Sequence, residues 1–156
     1  MTLEEGMRLA LKQADLASAA GEVPVGAVIA HGDQVLAQAH NMRESLGDPT
    51  AHAETLAIRQ AATVADERTL RQSVMYVTLE PCAMCAGAIR LARLGAVYYG
   101  AADERQGCCG SVYRLTEDPA LGGLIPASGG ILEDECRARL ELFFSALRRQ
   151  RSDYAP

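Results

Sequence analysis

The chain has 156 residues, 49% of them apolar, and a formal net charge of −5. That length suits a single domain, residues 1–156, around one core. No run approaches the roughly 20 apolar residues of a membrane span, and the acidic balance excludes a molecule drawn to nucleic acid by its overall charge.

In chain order, "LEEGMRLALKQADLASAA" sets Leu3, Met7, Ala10, Leu11 and Ala14 on one helical face, and Gly21 ends the pattern. "PVGAVIA" and "QVLAQAH" are short apolar runs separated by His31-Gly32-Asp33, which predicts a hairpin with His31 in its turn, away from any metal. "NMRESLGDPT" reads as a polar loop leading into an Ala-rich helix, "AHAETLAIRQAATVA". "SVMYVTL" predicts a buried strand, "AMCAGAIRLARL" a helix and "GAVYYG" another strand. A glycine-punctuated loop, "AADERQGCCGS", precedes a stretch that suggests a helical turn and a weak strand. The final helix, "ILEDECRARLELFFSALRRQ", is expected to face Leu132, Cys136, Leu140, Phe143, Phe144 and Leu147 inward. Strands alternating with helices predict an α/β layered domain.

The N-terminal "MTLEEGMRLALKQ" lacks a basic stretch followed by an apolar one, so we expect no secretion signal and a cytoplasmic location. Five cysteines, an odd number, argue there against a disulfide framework. Cys82-Ala83-Met84-Cys85 follows Pro81 where a strand gives way to a helix. Alone it reads as a redox pair, as two small core residues or as half of a metal clip. Two cysteines three apart share one face of a first helical turn, where the helix dipole favours thiolate. His52 opens the earlier helix in the same manner, after "DPT". Two helices starting side by side at one sheet edge would bring His52, Cys82 and Cys85 together as ligands of a zinc ion. Three protein donors leave a fourth position open, as in catalytic rather than structural zinc sites. Water held there has its pKa lowered from near 16 toward roughly 7. Glu54, two residues after His52, is placed to take that proton and pass it to a substrate nitrogen. A lone His-x-Glu is usually a pair on a helix surface, but the two elements together favour a metal centre over the redox and packing readings.

His-x-Glu followed by Pro-Cys-x-x-Cys is the established signature of zinc nucleobase deaminases. "EVPVGAV" (22–28), "DPTAHAE" (48–54), "TLEPCAMCAGA" (78–88) and the terminal "FF…RRQ" resemble, more narrowly, the bacterial tRNA adenosine deaminases of the cytidine deaminase-like superfamily. The resemblance implies a three-layer α/β/α fold with a mixed five-stranded sheet, a homodimer and one Zn2+ per subunit. It also implies hydrolytic conversion of adenosine to inosine at the wobble position of a tRNA anticodon loop. On this sequence it assigns zinc to His52, Cys82 and Cys85, proton transfer to Glu54, a purine hydrogen bond to Asn41, and the walls of the base pocket to Val25 and Ala53.

The second half departs from that family. "LGGLIPASGG" stands where the tRNA enzymes carry an Asn-His element, and "GCCGS" replaces the more common Gly-Ala-Ala-Gly-Ser. Cys108 and Cys109 then read as small packing residues, with an oxidisable pair as the alternative. Arg148, Arg149 and Arg151, with Arg105 and Arg114, either supply a local RNA-binding surface or, on the last helix, form a solvated end that complements the dipole. Two other functions stand beside the first: deamination of a free purine base or nucleoside with the same zinc, and a zinc-stabilised binding module.

Overall fold

The computed structural model describes residues 1–153. Helix α1 (Leu3–Ala19) opens on a capping box, in which the Thr2 hydroxyl accepts from the Glu5 N–H and the Glu5 carboxylate from the Thr2 N–H. It leads into a hairpin, β1 (Gly26–His31) and β2 (Gln34–His40). The turn is Gly32-Asp33 alone, because His31 completes β1 opposite Gln34. Then follow α2 (Arg43–Leu46), α3 (Ala53–Val64), α4 (Glu67–Arg71), β3 (Val74–Leu79), α5 (Ala83–Ala92) and β4 (Ala96–Ala101). Two 3-10 turns (Leu115–Glu117 and Pro119–Leu121), β5 (Ala127–Ser128) and α6 (Glu133–Asp153) complete the described chain.

The sheet order is β2-β1-β3-β4-β5; β1 is antiparallel to β2 and β3, and β3, β4 and β5 run parallel. The expected mixed five-stranded sheet is therefore present. Strand alternation divides the core between two layers of helix. Ala27, Ile29, Met75, Val77 and Val97 pack under the alanines of α3 and under Ala86 and Ile89 of α5. Val28, Ala30 and Tyr76 face Met7, Ala10 and Leu11 of α1, with Cys136 of α6.

The small side chains of α1 and α3 let these helices lie close on the sheet, and Gly26 marks the tightest approach. A Cβ there would sit 2.6 Å from the Ala14 amide nitrogen, 2.7 Å from Gln13 Cβ and closer still to the Ala10 carbonyl. Backbone atoms of a helix cannot step aside singly. Gly26→Ala should therefore cost about 2–3 kcal/mol and lower the Tm by roughly 5–10 °C, measurable by thermal unfolding.

The structure revises three further expectations. The polar loop after β2 contains α2, and α4 interrupts the stretch before β3. On α6 only Cys136 is buried; Phe144 is 40% exposed, Leu140, Phe143 and Leu147 are half-buried, and Leu132, also half-buried, precedes the helix. The apolar stripe of α6 outruns the sheet it packs on, so its outer half has no partner within the described chain.

Candidate active site

Antiparallel pairing sets the location of the site. Gly26 opens β1 opposite His40, which closes β2, and Ala27 pairs with Val77 near the end of β3. The segments that follow β2 and β3 therefore leave the sheet at the same edge. The first runs through α2 and a loop into α3, the second directly into α5, and the first residues of α3 and α5 face each other.

His52 is the N-cap of α3 and Cys82 the N-cap of α5, yet neither side chain caps its own helix. Both are left free to act elsewhere. The Asp48 carboxylate accepts from the Thr50 amide (2.8 Å) and hydroxyl (2.7 Å), and the His52 N–H donates to the Thr50 carbonyl (2.8 Å). This is the turn chemistry of "DPT" at work, and it fixes the histidine at the helix start. On the other side, the Glu80 N–H donates to the Ala101 carbonyl (2.8 Å) and the Cys108 N–H to the Pro81 carbonyl (2.8 Å). These bonds hold the backbone leading into Cys82.

His52 Nδ1 lies 3.7 Å from Cys82 Sγ and 3.4 Å from Cys85 Sγ, and the three donor atoms lie within 4.8 Å of one another. Zinc bonds of about 2.3 Å to sulfur and about 2.0–2.1 Å to nitrogen, at a tetrahedral angle, separate sulfur from nitrogen by about 3.6 Å. The donor set and its spacing fit zinc. The same three groups share protons. The Cys85 thiol donates to the Cys82 sulfur and lowers the Cys82 pKa to about 4 against the opposing effect of burial, with His52 adding to the shift. The Cys85 thiol is pushed up by that same bond, and His52 is raised by its bond to Cys82. A cation that displaces these protons meets two sulfurs and a nitrogen already converged.

Next to them, Glu54 is 4% exposed, and burial raises its carboxyl pKa to about 7. A cavity of about 240 Å³ opens here, lined by Val25, Asn41, His52, Ala53, Glu54 and Cys82. Every residue assigned from the sequence to zinc, proton transfer or the base pocket lines this cavity except Cys85, which is fully buried with its sulfur 3.4 Å from His52 Nδ1. Asn41 is held by its neighbours: its Oδ1 accepts from the Arg43 N–H (3.2 Å) and its Nδ2 reaches the Val23 carbonyl at 3.5 Å. Cys108 and Cys109 are buried in the core layer of α3 and α5, as packing residues. A larger groove, about 1310 Å³, runs along the outer face of α5 and contains none of the site residues.

Two carboxylates went unread in the sequence. Glu22 is 1% exposed and accepts from the Glu44 N–H (2.9 Å), the Ser45 N–H (2.7 Å) and the Ser45 hydroxyl (2.6 Å). Burial opposes its ionisation, but these donors outweigh it and leave the carboxyl below its usual range. Glu80 is 2% exposed and accepts from the amides of Asp103 (3.1 Å), Cys109 (3.1 Å) and Ser111 (3.0 Å) and from the Ser111 hydroxyl. The available signal was an acid set in an apolar stretch, in "EVPVGAV" and "TLEPC".

Two helix N-caps presenting one imidazole and one Cys-x-x-Cys, with a buried glutamate beside them, are the arrangement of a nucleobase deaminase centre. Residues 1–101 match the cytidine and deoxycytidylate deaminase zinc-binding region. The chain belongs to this deaminase family. It is 40% identical over 145 residues to the tRNA-specific adenosine deaminase of Bacillus subtilis, covering 93% of this chain and 90% of that one. A solved structure from work on A-to-I editing by tRNA:A34 deaminases at the wobble position of transfer RNA aligns with a TM-score of 0.81 and 40% identity. That likeness covers 87% of this deaminase and 99% of the other chain. The guanine deaminase of Bacillus subtilis aligns with a TM-score of 0.58 and 37% identity over 65% of this chain and 66% of its own. The deaminase is thus a zinc enzyme, and the expected fold class holds.

Proposed function

We propose that this deaminase hydrolyses the 6-amino group of adenosine at the wobble position of a tRNA anticodon loop, giving inosine and ammonia. The class of chemistry rests on one observation: His52, Cys82 and Cys85 converge at the spacing of a three-donor zinc site beside the buried Glu54, at the base of an open cavity. Zinc, when bound, supplies a Lewis acid and an acidified water. The chain's own residues do the rest. Glu54 receives the proton released from water and delivers it to the purine ring nitrogen, which makes C6 electrophilic. As the water oxygen bonds to C6, Glu54 takes up the proton that remains on that oxygen and delivers it to the amine, so that the C6–N bond breaks, C6=O forms and water supplies both protons. A carboxyl with a pKa of about 7 can both accept and donate at neutral pH. Asn41 offers the purine ring a side-chain amide, and Val25 and Ala53 provide apolar walls.

The choice of substrate is supported by the reach of the likenesses. Several tRNA-specific adenosine deaminases are 39–40% identical over 93–95% of the chain, whereas the guanine deaminases reach 37% identity over only 65% of it or 20% identity over 90%. Arg43 lines the cavity and makes no ion pair among the described residues, and Arg105, Arg148, Arg149 and Arg151 are exposed. These are cations available to phosphates. Arg114 is engaged by Glu117 at 2.9 Å and is the least available. The test is inosine formation in an arginine tRNA stem-loop carrying adenosine at the wobble position. Conversion of free adenine, guanine or their nucleosides with that RNA untouched would replace this reading by purine salvage chemistry.

A homodimer fits the outer face of α5, where Leu91 is 87% exposed and Leu124, across the groove, is 61% exposed. Paired copies would cover both. Leu91→Glu should shift sedimentation from a dimer to a monomer mass; an unchanged dimer would place the contact elsewhere. No described helix is long and apolar enough to cross a membrane, and none of the five cysteines is in a disulfide.

A further inference from the structure

The two buried carboxylates that the chemistry does not use have a common design. Neither forms an ion pair with an arginine or lysine among the described residues; Glu22 takes its hydrogen bonds from α2 and Glu80 from the 103–111 loop. Glu22 lies just before Val23 and Val25, and Glu80 just before Cys82, so both are carried by backbone that also builds the cavity. From the opposite partners come the polar residues of the cavity: Arg43 from the segment held by Glu22, and Asp103 and Gln106 from the loop held by Glu80. Around Glu80 the fit is close. A Cβ on Gly107 would strike the Glu80 carboxylate and lie 2.5 Å from the Asp103 carbonyl.

We infer that Glu22 and Glu80 are positioning residues that clamp the 43–45 and 103–111 segments so that Arg43, Asp103 and Gln106 meet the nucleotides flanking the target base. This rests on the RNA reading above, since a free purine has no flanking nucleotides. The clamps then govern how well the polynucleotide is held, while Glu54 governs turnover once it is bound. An amide cannot replace either carboxylate, because its NH2 would face the N–H groups that now donate to oxygen.

The experiment compares zinc-loaded wild type, Glu22→Gln, Glu80→Gln and Gly107→Ala on the stem-loop, with zinc content and amide exchange at Asp103, Cys109 and Ser111 measured in parallel. Gly107→Ala disturbs the Glu80 clamp while leaving the carboxylate in place. The expected result is a KM raised about tenfold by each variant, kcat lowered by less than about threefold, and zinc content of one. Exchange at the three amides should rise in Glu80→Gln and Gly107→Ala. A fall in kcat and zinc content with KM unchanged would make the carboxylates purely structural and overturn the inference. Wild type active on the stem-loop with unchanged KM in the variants rejects this inference alone. Wild type inert on the stem-loop but active on free purines rejects the RNA reading and this inference with it.

Discussion

Glu54→Ala will keep one zinc per chain and a Tm close to that of the wild type, and its turnover will fall by at least about 10²- to 10⁴-fold. The reason is the division of labour within the site. The donors proposed for zinc are His52, Cys82 and Cys85, so removing Glu54 takes no ligand away. Stability should change little because the glutamate is costly where it stands: it is 4% exposed, and burial raises its pKa to about 7. What disappears is the buried carboxyl proposed to carry a proton from water to the purine. Metal analysis, thermal unfolding and single-turnover ammonia release separate these effects. Unimpaired rates in the variant would remove Glu54 from the mechanism.

Cys85→Ala is expected to act in the opposite way, through the metal. Cys85 is fully buried beneath the cavity, and its sulfur lies 3.4 Å from His52 Nδ1. Without it, one nitrogen and one sulfur remain, too few for a tetrahedral centre with a single open position. Zinc content should fall well below one per chain, and turnover should be lost with it. Bound metal at a thousand times its Kd stabilises a protein by about 4 kcal/mol. A chain of this size loses about 2–4 °C of Tm per kcal/mol, so the Tm should drop by about 10 °C. Treating the wild type with a strong chelator should reproduce that shift, and added zinc should reverse it only in the wild type.

The centre was legible in the sequence because its signals are local. "DPT" before His52 and Pro81 before Cys82 mark two helix starts, and the i, i+3 spacing of the cysteines puts both sulfurs on one face. Alternation in "GAVIA" and "VMYVT" likewise divides the two core layers correctly. What escaped was short or was held by distant partners. Helix α2 has four residues and no side-chain cap of its own; it is held by Glu22, about twenty positions earlier. Helix α4 is only five residues long and rests on an Asp66 cap. Periodicity marks an apolar stripe without saying what covers it, which is why Phe144 of α6 read as internal and stands 40% exposed. Glu22 and Glu80 showed only as acids in apolar stretches; their partners left no pattern, since backbone amides of any sequence can satisfy a carboxylate.

The most direct measurement is X-ray absorption at the zinc edge of the purified enzyme. Two sulfurs at about 2.3 Å and two nitrogen or oxygen atoms at about 2.0–2.1 Å, one of them exchangeable with solvent, are the expected shell. A shell of four protein donors, or full activity after zinc has been stripped by stringent chelation, would contradict the open three-donor site.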